Sequence, residues 1–344
     1  MKKRLIILAK VLVTTFLIIY LFQTKGIDLE RSWIFIRNSH WGYIVLAGLL
    51  LFVGQFICTA RWSGILEHLG IHIRLWRLFQ FYMIGMFFSL FFPSVIGGDF
   101  VKIYYVKRDS GKSLTLALAS IYLERAAGFL ALLVYGLAGA LIYPISLRPV
   151  DFRPLGWLGI RELPLWILPA LLLLGFILAN WVLFGSRLYN YAVKLFNLLK
   201  LERFAEKILL LRDAMTSFRH HPAALNIPVL LSFLNIGLVI VMNWLVALAL
   251  DIDISMIVLA AIVSLMTVMV MLPISINGIG LRENAYVVLL SLVNVDPDKS
   301  FALSVIGFVL IILTGMPGGV CYSLLKKEIP VDLKGDLLPE SEAV

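Results

Sequence analysis

Apolar residues gather in long runs. Six of them, at 5–22, 41–60, 114–143, 163–184, 227–250 and 302–325, predict bilayer-crossing helices, which take about 20 apolar residues each. Two more, 78–92 and 254–272, lead into short breaks. The first break reads Phe92-Pro93-Ser94-Val95-Ile96-Gly97-Gly98-Asp99. The second reads Leu272-Pro273-Ile274-Ser275-Ile276-Asn277-Gly278-Ile279-Gly280-Leu281-Arg282-Glu283. Each brings in proline after apolar sequence, passes two glycines and ends at charge. Non-helical backbone at membrane depth has no water to bond with, so it is tolerated only against protein or beside a water-filled cavity. A matched pair of breaks, one per half, is the sequence mark of a transporter's binding site.

Lysine and arginine set the orientation. The segment 185–226 carries Arg187, Lys194, Lys200, Arg203, Lys207, Arg212 and Arg219 and is expected in the cytoplasm. Lys2, Lys3 and Arg4 place the N-terminus there, and Lys326, Lys327 and Lys334 the C-terminus. Asp251-Ile252-Asp253 has no base and is expected outside. If 78–92 crossed fully, the basic segment 185–226 would be turned outside. A re-entrant hairpin over 78–106 removes the conflict and keeps Arg74, Arg77, Lys102, Lys107, Arg108 and Lys112 inside. The second break works the same way from the other face, with 254–272 entering and 285–293 returning. At about 1.5 Å per residue, 285–293 is too short to span alone. The length of 254–272 leaves open whether it spans fully or forms a re-entrant arm. The front of 114–143, as far as Leu123, fits the first hairpin. The loop 25–40, with Lys25, Arg31 and Arg37, falls outside against the charge rule.

The expected fold is therefore an all-α integral membrane protein, with about six full spans plus two re-entrant helical hairpins in an inverted repeat. The pseudo-halves are 1–145 and 163–327, within one membrane domain 1–327. The basic segment 185–226 is expected to hold a surface-lying amphipathic helix within 187–218. Residues 328–344 form a polar tail.

Composition agrees. Hydrophobic residues make up 61% of 344 positions and charged ones 15%, against about half and a quarter in ordinary globular domains. No small-residue cleavage site follows the first apolar run, so a retained helix is predicted rather than a signal peptide. The net charge of +9 reads as cytoplasmic flanks near anionic lipid, not as a nucleic-acid surface. Cys58 and Cys321 both lie in apolar runs and indicate neither a disulfide framework nor a metal cluster. His220-His221 has no further ligand nearby, and no metal or cofactor is expected. Asp109-Ser110-Gly111-Lys112-Ser113 resembles the end of a P-loop, but Val106 stands where its first glycine belongs. Gly315-Met316-Pro317-Gly318-Gly319 reads as a close-packing or kink site.

Charges inside apolar runs cost about 2.5–3.5 kcal/mol each, so they face a cavity or one another. Asp99 and Lys102 close the first break, Glu124 and Arg125 sit within 114–143, and Arg282 and Glu283 close the second break. Mutual pairing that merely holds the bundle together is the plain reading. The functional one is a head-group site. Half-helix N-termini offer unpaired N–H groups to an anion. Gly97, Gly98, Gly278 and Gly280 permit close approach of an oxyanion to backbone, with Ser94 and Asn277 beside them. Arg125 or Arg282 would fork onto phosphate, and Asp99, Glu124 or Glu283 would meet a cationic group or carry a proton.

The stretch Phe91–Asp99, the run Tyr122-Leu123-Glu124-Arg125-Ala126-Ala127-Gly128, the core Gly278-Ile279-Gly280 within 272–283, and 315–319 together resemble the lysylphosphatidylglycerol synthase transmembrane-region family. This is the flippase-like domain of the bacterial multiple peptide resistance factor. The resemblance runs from Leu5 to about Lys327. It implies a membrane domain that moves or exposes lipids, with Asp99, Glu124, Arg125 and Glu283 carried over by motif. The short tail 328–344 leads to the expectation of a stand-alone domain without the lipid-aminoacylating synthase.

The expected function is a lipid flippase or translocase of a prokaryotic cytoplasmic (inner) membrane, multi-pass with both termini inside, which moves the head group through one polar cavity formed by the two re-entrant breaks. Its partners would be lipids with an anionic or phosphate-bearing head group. No catalytic residue is assigned and transport is favoured over chemistry. The alternatives are a non-catalytic partner of a lipid-modifying enzyme or glycosyltransferase, and a membrane-embedded enzyme on a lipid-linked substrate. A lipid-synthesising partner and a homodimer stay open.

Overall fold

Backbone groups in a bilayer must be satisfied within their own segment, and long apolar sequence does this by forming helix. The computed structural model describes residues 2–91, 97–142, 150–151, 162–184, 218, 221–272 and 274–328. Among these the chain forms twelve α-helices: α1 (Lys2–Lys25), α2 (Leu29–Arg37), α3 (Trp41–His68), α4 (Leu75–Phe91), α5 (Gly97–Ser110), α6 (Leu114–Ile142), α7 (Ile167–Phe184), α8 (Asn226–Ala249), α9 (Met256–Met271), α10 (Leu281–Ser291), α11 (Pro297–Gly315) and α12 (Pro317–Glu328). A two-residue ladder, β1 (Val150–Asp151) against β2 (Glu162–Leu163), joins α6 to α7, with Val150 opposite Leu163.

Among the described residues, four segments are long and apolar enough to cross a membrane: Trp41–His68, Leu114–Ile142, Pro222–Ala249 and Pro297–Leu325. The last runs through α11 and α12. α1 and α2 make a fifth if taken together, bent by 91°. Among the described residues, four or five such segments stand where six full spans are expected. Residues 162–163, at the start of the expected 163–184 span, are drawn into the ladder, leaving α7 to begin at Ile167. The run 114–143 is one continuous helix of 29 residues, so its front does not belong to the first hairpin. The loop 25–40 contains α2, held by Asp28 accepting from the Glu30 and Arg31 amides. Arg31 pairs with Asp298 at 3.5 Å and lies 3.8 Å from Asp296, so acids at the start of α11 offset its charge. The amphipathic helix expected within 187–218 lies outside the described residues, apart from Phe218.

Both breaks separate helices. α4 and α5 flank the first, with Pro93 and Ser94 outside the described residues. α9 and α10 flank the second. At about 1.5 Å per residue these arms run about 16 to 26 Å, short of a hydrocarbon core of about 30 Å. α4 packs on α5 and α9 on α10. α3 lies along α8 at the centre, α6 packs on α8 and α9, and α11 packs on α3 and α4.

Small residues set the close approaches. Gly98 of α5 sits against the Gly85 carbonyl and Ser89 hydroxyl of α4, and Gly318 of α12 sits against the Met83 backbone. The 315–319 segment is thus a packing surface for α4, with Gly315 against Leu90 and Gly319 against Phe87. One core wraps the first hairpin and includes Trp62, Phe81, Tyr104 and Tyr105. The other joins α3 to the second half through Leu51, Val246, Leu259 and Leu303.

A side chain at position 98 would overlap α4. Gly98→Val is expected to lower stability by about 1–3 kcal/mol, the usual cost of overpacking, seen as a lower melting temperature in micelles. An unchanged melt would mean that α4 and α5 do not touch there.

Candidate functional site

α3 continues past Ala60 for two more turns, and this buries a charge. Arg61 is only 6% exposed. Its Nη2 donates to Glu124 Oε1 at 2.9 Å and its Nη1 to the Ser232 hydroxyl of α8 at 3.1 Å. Glu124, 2% exposed, also accepts from Lys102 Nζ at 2.7 Å and from the Tyr82 hydroxyl at 3.1 Å. One carboxylate therefore ties α3, α4, α5 and α6. Lys102 lies over the rings of Tyr82 (4.3 Å) and Trp62 (4.9 Å), whose π faces supplement its ion pairs.

Asp99 completes the group. It lies 3.5 Å from Lys102 Nζ, one helical turn away, and takes both Nε and Nη2 of Arg125 at 3.0 Å in a fork. Glu124 and Arg125 are neighbours in sequence but point to different partners, and the two carboxylates are bridged by Lys102. Three cations thus face two carboxylates, a surplus of one positive charge. Four members are buried, whereas the Arg125 side chain is 42% exposed. Arg125 lies eleven residues into the 29-residue α6, about 17 Å along a helix of about 43 Å. A half-exposed guanidinium close to mid-helix must meet water or an anionic group, because hydrocarbon would not hold it.

The structure brings Asp99, Lys102, Glu124 and Arg125 together. Gly97 and Gly98 begin α5; Gly98 packs on Gly85, which accounts for its lack of a side chain. Ser94 lies outside the described residues. Asn277, Gly278, Gly280, Arg282 and Glu283 form a separate group. Asn277, Gly278 and Gly280 hold φ of 50°, 76° and 79°, a left-handed path that glycine adopts most readily. Gly280 also packs against Leu17 and the Thr14 carbonyl of α1. Glu283 Oε2 accepts from the Gly280 amide at 2.6 Å and caps α10. Among the described residues, no hydrogen bond or ion pair joins this group to the first. α11 touches the second group through Phe308 on Arg282 and packs on α4, beside the first break, through Gly315 on Leu90. The seven residues between them span about 10 Å.

Arg61, Tyr82 and Ser232 are members that sequence reasoning missed. The available signal was apolar sequence continuing past the arginine, at Trp62, Ile65 and Leu66. A separate crevice of about 370 Å³ lies between α6, α8 and α9, lined by Tyr135, Gly139, Gly237, Ile240, Met256 and other residues, almost all apolar. No lining residue belongs to either break.

The profile of the family described as "Lysylphosphatidylglycerol synthase TM region" matches residues 7–318. A UPF0104 membrane protein of Methanothermobacter thermautotrophicus is 26% identical, over 79% of this chain and 81% of its own. A UPF0104 membrane protein of Methanocaldococcus jannaschii is 21% identical, over 85% and 87%. Together with the long apolar helices, these matches make the chain an integral membrane protein.

Removing the Glu124 charge would leave Arg61 and Lys102 buried around a neutral group. Glu124→Gln is expected to cost about 3–5 kcal/mol, the usual effect of breaking a buried pair, whereas Arg125→Gln, half exposed, costs much less. Thermal unfolding of the purified variants in micelles checks the order. Equal melts would contradict the central place of Glu124.

Proposed function

Because the chain belongs to the lysylphosphatidylglycerol synthase transmembrane-region family, we propose that it is a lipid translocase of a prokaryotic cytoplasmic membrane. The observation that carries the reading is the half-exposed Arg125 near the middle of a helix long and apolar enough to cross a membrane, on a buried cluster with one uncompensated positive charge. A lipid phosphate bound at Arg125 supplies the missing negative charge and forks onto a guanidinium already oriented by Asp99. The acyl tails remain in the bilayer while the head group follows the polar edge of α5 and α6.

The two breaks are the tips of re-entrant hairpins in an inverted repeat, with both termini cytoplasmic. The helix contacts support this. If α3, α4, α5 and α6 are exchanged for α8, α9, α10 and α11, packing of α6 on α8 becomes packing of α11 on α3. Likewise α6 on α9 becomes α11 on α4, and α5 on α6 becomes α10 on α11; all these contacts occur. The central α3–α8 pair maps onto itself. Rocking one half against the other about that pair would expose the cluster to each side in turn.

Vesicles carrying the purified protein and a fluorescent phosphatidylglycerol should exchange head groups between leaflets faster than empty vesicles, read by a membrane-impermeant quencher. Arg125→Gln is expected to lower the rate at least about tenfold, equivalent to about 1.4 kcal/mol. Rates equal to empty vesicles across a broad lipid panel would refute translocation and favour a non-catalytic partner of a lipid-modifying enzyme. Turnover of a lipid-linked donor would favour an enzyme.

A further inference from the structure

Polar groups in the second break are left unsatisfied in a way those around Glu124 mostly are not. Arg282 is 7% exposed, yet its Nη1 has no hydrogen-bond partner. Its Nη2 reaches only the Asn277 carbonyl, at 3.3 Å, and the guanidinium lies 4.6 Å from the centre of the Phe308 ring. No carboxylate among the described residues is within ion-pairing distance. The neighbouring Glu283 is turned to the Gly280 amide, with the Ser304 hydroxyl at 3.5 Å from its other oxygen. In the same loop the buried Ser275 hydroxyl has no partner either. A buried, unpaired guanidinium is costly to retain, and a buried donor without an acceptor costs about 1–3 kcal/mol.

α1 fills the remaining positions. The Ile276 amide donates to Thr14 Oγ1 at 3.1 Å, and the Asn284 carboxamide donates to the Leu17 carbonyl at 2.9 Å. α1 is a peripheral helix, with Val11, Leu12, Phe16 and Ile19 exposed, and it turns into α2 beyond Gly26, whose φ is 62°.

We propose that the loop before α10 is an oxyanion seat, distinct from the ion cluster, in which Arg282 is the cation, Ser275 and the Ile276 amide are hydrogen-bond donors, and α1 is the cover. These three groups all donate, a set that suits a phosphate or carboxylate. The N-terminal end of α10 adds its dipole, which the Glu283 carboxylate on the Gly280 amide offsets in part. The Thr14 hydroxyl stands where a ligand oxygen would bond, so ligand entry and seating of α1 exclude one another. The anion arrives either as a lipid head group or as a free ion. The seat goes beyond the translocation reading, since it requires only binding.

The test uses the full chain in phosphatidylcholine nanodiscs, in an Arg125→Gln background so that the ion cluster adds no site. Calorimetric titration is made with two probes, inorganic phosphate and dihexanoyl phosphatidic acid. Saturable binding of one equivalent is expected, weakened at least tenfold by Arg282→Gln and severalfold by Ser275→Ala. Thr14→Val is expected to tighten it, a direction that a purely structural role for Thr14 does not produce. Binding of phosphatidic acid alone identifies a head group, and equal competition by phosphate identifies a free ion. No saturable binding of either probe, or unchanged binding in folded Arg282→Gln, overturns the proposal. If Arg282→Gln does not fold, equal affinities in Ser275→Ala and Thr14→Val overturn it. Loss of lipid exchange with anion binding intact would refute the translocation reading alone.

Discussion

Glu124 carries a negative charge into the middle of the bundle, and four helices are arranged around it. Burying an ion costs several kcal/mol, and only close, hydrogen-bonded partners return that energy. Arg61, Lys102 and Tyr82 provide them at 2.9, 2.7 and 3.1 Å. This couples the packed pair α4 and α5 to the long helices beside it. A movement of α5 relative to α6 must break or re-form these bonds together with the Asp99–Arg125 fork. The cluster therefore fastens α3, α4, α5 and α6 to one another.

The second constraint is the backbone of the breaks. A chain that leaves helical geometry at membrane depth must find partners in protein or water. In the second break α1 supplies one through Thr14, the Glu283 carboxylate caps α10, and the glycines permit the left-handed path. The first hairpin achieves close packing by glycine on glycine, Gly85 on Gly98, and is backed by α12. The described residues that border the two breaks therefore differ. One is bordered by a charge cluster, and the other is covered by a helix.

Much of this was legible in the chain. The breaks, their flanking charges and the packing role of 315–319 follow from proline, glycine and the cost of charge in apolar runs. Asp99, Lys102, Glu124 and Arg125 were all singled out, and they meet. Arg61 was not, because a charge at the end of an apolar run reads as a flank, whereas α3 continues to His68 and carries it inward. Tyr82 and Ser232 gave no signal, since their hydroxyls matter only once helices distant in sequence are adjacent. The expectation of one polar cavity formed by both breaks rested on the charge topology and on the pairing of two Pro/Gly breaks, one per half. Pattern cannot show that each break would bond to a different neighbour.

The central claim is that the charged edge at Arg125 is a polar passage rather than a buried strut facing lipid. Its most direct measurement is the reactivity of Arg125→Cys, with Cys58 and Cys321 replaced by serine, toward a membrane-impermeant thiol reagent applied from each face of oriented vesicles. The account predicts modification from both faces, slowed by an anionic phospholipid with a short tail. Protection from both faces, as for a side chain in hydrocarbon, would contradict it.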